Sequence, residues 1–446
     1  MTQTSINSHA IFIGTFNGKL TPNDIQHTNW EHVTTSDDDY NRICSQYYQG
    51  HVDAMLEREI DNLKKPEFLH AVSHYRLSLK DEKSCESGKR FTLQLDRRGN
   101  RFNYDLCLCN LHLYFFPLNI VFLAFEIDDS GAPLGDLTFA HGTLSAWKGL
   151  FIEKQDRQAD EASSQNGKEY VNQDFLSFFE SLKGFLPDKS LVNLLGTGNK
   201  FKIFQVIQVE KEMFKDESLY EIGTCSPIGC FGGDHSLAPS DDYYQMMMAE
   251  NTASAFKNWK GLALMDTFTM LTYTEPNLYV WYHFYFPLIY LRCLFEKTYC
   301  FCRNTDYRMD KSVMDISKEI SQMEKYYFYN SISYNFLPNL LYKAIAKGLE
   351  LKEERKELSE QIKERAKAET ERAKEEEAQI KEHEQRKSNR RLTFISIFAI
   401  FSIAWDLCSI VVEASSWDKQ IVALVCLVVG VIAVFVFNTL IFRNKL

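Results

Sequence analysis

Two stretches decide the architecture: LTFISIFAIFSIAWDLCSIVV, Leu392–Val412, and IVALVCLVVGVIAVFVFNTLIF, Ile421–Phe442. At a helical rise of 1.5 Å per residue each covers about 30 Å, the thickness of a bilayer core. Asp406 is the one charged residue within them. The connection Glu413–Gln420 contains Ser415, Ser416, Trp417 and Asp418, a composition suited to a turn at the membrane interface. A buried helical hairpin in a soluble core is the other home for such segments, but two consecutive runs of this apolarity favour two transmembrane helices.

Flanking cations orient them. Arg386, Lys387, Arg390 and Arg391 precede the first run, Arg443 and Lys445 follow the second, and the connection has only Lys419. The excess of positive charge predicts both termini in the cytoplasm, with the inner (plasma) membrane as the location. The opening MTQTSINSHAIF lacks a basic region followed by a long apolar one, so no secretory signal is expected.

The rest of the 446 residues fits a soluble body. Mean hydropathy is −0.29, too polar for a multi-span carrier, while 45% hydrophobic and 14% aromatic residues demand a large core and exclude global disorder. With 50 Lys and Arg against 60 Asp and Glu, the net charge of −10 argues against nucleic acid as a partner. The 11 cysteines include no C-x-x-C pair, and scattered reduced thiols are the economical reading.

Working backwards from Arg391, an unbroken helical pattern extends from just after Pro338, interrupted by no further proline and only Gly348. Glu, Lys, Arg, Ala and Gln dominate Glu350–Arg391. Attractive pairs such as Glu377–Lys381 and Glu382–Arg386 support a solvated helix, each by a few tenths of a kcal/mol. The pattern predicts a stalk helix over 339–391 that runs into the first span. Before it, Leu278–Phe301 is aromatic-rich and Asp310–Tyr329 carries helical spacing, which together predict a helical hairpin over 277–338.

Residues 1–276 read as a mixed α/β domain. Phe91–Asp96 alternates, and Asn103–Asp128 reads as two buried strands joined near Pro117–Asn119. Phe201–Val209 and Gly261–Tyr273 are further strands. Val52–Leu63, Leu134–Leu150 and Phe175–Leu186 read as helices. The fold class expected is therefore an α/β cytosolic domain, a long helical stalk and two C-terminal transmembrane helices.

This order of parts resembles the CorA superfamily of two-span membrane proteins, whose members form pentamers with the first spans lining a pore. The family's Gly-Met-Asn signature is replaced here by Ile410-Val411-Val412-Glu413-Ala414-Ser415, which weighs against its magnesium selectivity. Phe115–Leu123 (FFPLNIVFL), Trp259–Asp266 (WKGLALMD) and Asn339–Lys343 (NLLYK) are similar to segments of CorA-like membrane effectors associated with type III CRISPR systems. That resemblance implies a homo-oligomer, a pentamer, in the bilayer. Its gate would answer a small nucleotide second messenger, S-adenosylmethionine–AMP or an oligoadenylate, with no enzymatic activity and no resident cofactor.

Candidate sites follow from the same residues. Ser396, Ala399, Ser402, Asp406, Ser409 and Glu413 recur at steps of three or four and share one helix face. Such a face suits a water-filled lumen with Asp406 and Glu413 as carboxylate rings selecting cations, and it also suits close helix packing. An acid facing lipid would cost roughly 2.5–3.5 kcal/mol, which favours the lumen. Gly430 permits a close helix approach in the second span.

Lys89, Arg90, Arg97, Arg98 and Arg101 form a basic cluster able to attract an anionic ligand, although two exposed hairpin strands account for it equally. Gly223–Ser236 is glycine-rich, more in keeping with a turn than a phosphate cradle. Cys225, Cys230 and His235 lack common zinc spacing. Glu67, His70 and His74 fall one helical turn apart, most simply an ordinary helix surface. No catalytic residue and no metal site is assigned. A constitutive divalent-cation transporter and a membrane-anchored hydrolase are the alternative functions.

Overall fold

The computed structural model describes residues 4–16, 20–25, 28–33, 72–79, 88–97, 100–146, 150–154, 170–174, 179, 186, 200–231, 238–274, 286–306, 313–326, 331–414 and 419–443. The chain divides into two units, Met1–Ile362 and Lys363–Leu446.

Unit one is built on a sheet of twelve described strands: β1 (Asn7–Phe16), β2 (Glu31–His32), β3 (Ser73–Ser78), β4 (Lys89–Arg97), β5 (Asn100–Phe115), β6 (Val121–Asp128), β7 (Leu150–Lys154), β8 (Tyr170–Asp174), β9 (Lys202–Gln208), β10 (Thr252–Ala253), β11 (Trp259–Ala263) and β12 (Thr267–Thr272). Their order is β10-β11-β12-β9-β1-β6-β5-β4-β7-β8, with β3 on β5 and β2 on β3. Only β12 and β9 run parallel among these pairs. The domain is thus sheet-rich and largely antiparallel, where alternating strands and helices would have built a parallel sheet.

The apolar run Asn103–Asp128 behaves as its composition demands. β5 and β6 pair in register from Cys107↔Asp128 to Phe115↔Val121, across a bulge between Leu108 and Asn110. The short 3-10 turn Pro117–Asn119 joins them. Both faces of these strands are covered, which explains the near-continuous apolar residues. One face meets α1 (Leu134–Ser145), α2 (Asp216–Gly223) and α3 (Asp241–Asn251), burying Phe12, Leu123, Phe125, Leu137, Ile222 and Met248 together. The other meets α4 (Phe286–Asp306), α5 (Val313–Tyr326), α6 (Phe336–Gly348) and the first turns of α7 (Leu351–Ala414). Here Phe122, Phe204, Tyr290, Phe295, Leu341 and Leu351 make a second core.

Several sequence expectations are revised. No strand is expected before Phe91 from the sequence, yet β1 lies mid-sheet between β6 and β9. Gly261–Tyr273 splits into β11 and β12 because the amide of Leu264 donates to the carbonyl of Thr267 and closes a hairpin. The helix expected over Leu134–Leu150 ends at Ser145, and Leu150 opens β7. Val52–Leu63 and all of Phe175–Leu186 except Phe179 and Leu186 lie outside the described residues.

The stalk also departs from expectation, because α6 ends at Gly348 and α7 begins afresh at Leu351. A Cβ on Gly348 would stand 2.4 Å from the carbonyl oxygen of Ala263, so only glycine fits against β11. Glu350 then takes a left-handed φ of 57°, a conformation that does not propagate a right-handed helix. After this break α7 is continuous for 64 residues, about 95 Å at the helical rise. Leu351 and Leu358 are buried in unit one and Ile362 packs on them.

Unit two holds the remainder of α7 and α8 (Lys419–Arg443). Solvent-facing pairs punctuate its polar part, Glu377–Lys381 at 2.6 Å and Glu382–Arg386 at 2.5 Å. By length and composition α7 is able to cross a membrane, and none of its most apolar window is buried. A Cβ on Gly430 of α8 would meet Phe401 of α7 at an ordinary 3.8 Å, so the two helices contact there. Cys107, Cys109, Cys225, Cys230, Cys293, Cys300 and Cys302 are free thiols, whereas Cys408 is disulfide-bonded, a departure from the reduced reading.

Candidate functional site

Extended strands separate the basic cluster foreseen as a ligand site. Lys89 and Arg90 open β4 opposite Leu108 and Cys107, whereas Arg97 closes it opposite Asn100, and Arg101 pairs with Asp96. Eight steps of a strand set the two ends about 26 Å apart. Lys89 lies over the ring of Phe91 and Arg97 over that of Phe139, at 5.2 and 5.1 Å. Arg98 lies outside the described residues. The four described cations therefore make two small groups instead of one patch.

On α7, Ser402, Asp406, Ser409 and Glu413 are exposed and Ser396 half-exposed. At 100° per residue they fall within an arc of about 140°. The hydroxyl of Ser409 donates to the carbonyl of Trp405 one turn back, 3.0 Å away, which satisfies it within the helix.

Where α7 leaves the sheet domain, charged side chains lock it to α4. Arg355 Nε donates to Glu296 Oε1, and Glu296 is only 1% exposed. Lys297 Nζ donates to the carbonyl of Leu349 at 2.8 Å and lies 3.5 Å from Glu354. The Arg292 guanidinium sits 5.3 Å from the Tyr342 ring of α6. About two turns beyond Glu296 along α4, Arg303 pairs with Glu319 of α5. The contacts of Lys297 and Glu296 fall on Leu349, Glu354 and Arg355, at and just after the Gly348–Glu350 break.

Two polar clusters are set into the sheet itself. The first is sealed: His141 Nε2 meets Asp129 Oδ2 at 2.8 Å, and Nδ1 meets Gln205 Oε1 at 2.7 Å. Gln205 must present its oxygen to His141, because its amide nitrogen donates to Ile222 O and Thr269 Oγ1. Both ring nitrogens of His141 therefore face oxygen acceptors. Tyr104 donates its hydroxyl to the same oxygen. Burial alone would raise the Asp129 carboxyl, but the His141 charge and hydrogen bonds from His141, Ser8 and Tyr104 leave it below its usual range. The same burial, with the charge of Asp129, drives the Tyr104 phenol well above its normal value.

The second cluster lies on the opposite face, where β3, β5, β6 and β1 adjoin. Asn110 Nδ2 donates to Glu126 Oε2 at 2.6 Å; His112 Nε2 is 3.3 Å from that oxygen, and His9 Nε2 is 3.1 Å from Oε1. His112 Nδ1 lies 3.0 Å from His74 Nε2, and His74 stacks on Tyr114 at 4.3 Å between centroids. Helical spacing had grouped His74 with His70 and Glu67. His74 instead sits on β3, and His70 and Glu67 lie outside the described residues.

Among the described residues no group of three or more His, Cys, Asp or Glu is placed to hold a metal ion. Cys225 and Cys230 are free thiols whose pKa values burial pushes up, to about 12 and about 11, while His235 lies outside the described residues. No protein-family model, curated protein or solved structure matches the chain.

Proposed function

We propose that this protein is a membrane effector: a sheet-rich receptor on the cytoplasmic side drives a pore formed by the first spans of several copies. One observation supports the reading above all. A single helix begins among the core residues of the sheet domain at Leu351 and Leu358 and continues without a break into the apolar segment Leu392–Val412. Such a helix transmits a displacement only when a ligand binds the two states of the receptor unequally.

In this reading α8 is the second, outer span, both termini are cytoplasmic, and five copies set Asp406 and Glu413 in rings around a cation path. The ligand is a nucleotide second messenger, S-adenosylmethionine–AMP or an oligoadenylate, as the CorA-like effector resemblance implies. The test is dye and ion release from liposomes containing the purified full-length protein. Release that begins on adding either nucleotide supports the proposal. Flux that is the same without nucleotide identifies a constitutive transporter, and absence of flux under all conditions overturns the pore.

A further inference from the structure

The line Glu126–His112–His74 leads from a buried carboxylate to a ring nitrogen that no described residue bonds. The partners fix the tautomers. A carboxylate 3.3 Å from His112 Nε2 places the proton on that nitrogen, so Nδ1 keeps its lone pair. That lone pair receives the Nε2 proton of His74 across 3.0 Å. His74 Nδ1 is left as an acceptor, and stacking on Tyr114 holds its ring plane.

Burial, followed by the charges of His112, Arg76 and His32, keeps the pKa of His74 well below that of an ordinary histidine, with Glu126 opposing. Nδ1 is therefore unprotonated at neutral pH.

A guanidinium stands beside this base. Arg76 follows His74 by two residues on β3, on the same face and about 7 Å along the strand. Its side chain is one-third exposed, and Nη2 makes only a loose 3.7 Å surface pair with Glu31. Its Nε is buried and meets no hydrogen-bond acceptor among the described residues. A carboxylate-backed base next to a permanently charged fork suits an anionic ester with two non-bridging oxygens.

We propose that His74 is a general base for hydrolysis of a nucleotide phosphodiester gripped by Arg76; the nucleotide class rests on the receptor reading above. His74 Nδ1 takes a proton from water as the water oxygen bonds to phosphorus. The bond from phosphorus to the leaving ribose oxygen breaks, and that oxygen receives the proton held by His74. The products are a phosphomonoester and a free hydroxyl, with no change of oxidation state. His112 and Glu126 are positioning residues that orient the ring and offset its transient positive charge. A receptor so equipped limits the lifetime of its own signal.

The full-length protein in nanodiscs is incubated with bis(p-nitrophenyl) phosphate and with the dinucleotide ApA. We expect p-nitrophenolate and adenosine products, with a loss of about 100-fold or more in His74→Gln. His74→Gly regains activity with added imidazole, a rescue that a merely structural role does not give. Glu126→Gln lowers kcat and moves the acidic-limb midpoint to lower pH, since the carboxylate favours the protonated ring. Arg76→Lys, which keeps the charge but loses the fork, raises KM at least several-fold and serves as the check if a His74 variant does not fold.

Absence of hydrolysis of both probes, wild-type rates in His74→Gln, or a folded His74→Gly indifferent to imidazole would overturn the assignment. Nucleotide-triggered dye release is measured on the same preparation. Release without cleavage sinks this inference alone, and cleavage without release sinks the gated pore alone.

Discussion

Arg355, on the second turn of α7, donates its Nε to Oε1 of Glu296, a carboxylate almost sealed within α4. The bond joins α4, a helix packed on the sheet, to the helix that continues into the apolar segment. Because Glu296 is buried, removing its partner leaves an uncompensated charge. Arg355→Ala is expected to destabilise by about 3 kcal/mol, the lower part of the range for such pairs, since Arg355 is partly exposed. Arg355→Met combined with Glu296→Gln recovers most of that loss. Thermal and denaturant melts of the unaltered protein, Arg355→Met, Glu296→Gln and the double variant make the cycle, and additive losses would show that the two side chains do not interact.

Gly348→Ala tests the break between α6 and α7. On an exposed helix this change stabilises by about 1 kcal/mol. Here the new Cβ meets the backbone of Ala263, so the expected sign is reversed, a loss of about 1–3 kcal/mol typical of overpacking. A raised melting temperature would mean that the close approach to β11 is not maintained in solution.

The pH dependence of stability follows from two buried groups. His74 has a folded pKa below the unfolded value of 6.5, so the unfolded chain binds more protons as pH falls through that value. Stability is therefore full above about pH 6.5 and declines below it, and His74→Gln flattens this part of the profile. Asp129 acts lower, because its folded pKa is depressed from 3.8. Its contribution is present above that value and is lost as pH falls through the folded one. Urea melts from pH 8 to pH 3 resolve the two windows, and an unchanged slope in His74→Gln contradicts the first.

Asp406 and Glu413 carry the selectivity proposed for the pore. Asp406→Asn and Glu413→Gln, alone and together, are expected to reduce cation-over-anion permeability stepwise while leaving nucleotide-dependent opening in place. Reversal potentials in planar bilayers under a salt gradient measure this. An ion preference identical to that of the unaltered protein assigns the Ser396–Glu413 face to helix packing.

What could be read in advance was what local pattern determines. The β5–β6 hairpin was legible because two long apolar runs flank Pro117–Asn119, and α7 was legible because nothing between Leu351 and Ala414 breaks a helix. β1 was not, because its apolar centre Ala10–Ile13 is short and is flanked by Gly14 and by His9, which faces a polar cluster formed by distant strands. The break at Gly348 depends on Ala263, a contact made only in the folded chain. The same holds for His74: at four residues from His70 it satisfied a helical spacing, and only its pairing with Tyr114 on β5 reveals the strand. The basic cluster failed for the opposite reason, since nearness along the chain becomes distance once β4 is extended.

The placement of β1 also bears on how the protein comes to be made. Its two neighbours end at Asp128 and Gln208, and both pair with it antiparallel. A strand synthesised early must therefore remain unpartnered on the ribosome until much later segments emerge, a non-local assembly of the kind that proceeds slowly. Rapid translation and high expression temperature should thus yield aggregates, with Ala10–Ile13 as their sticky segment, unless a chaperone shelters the nascent chain.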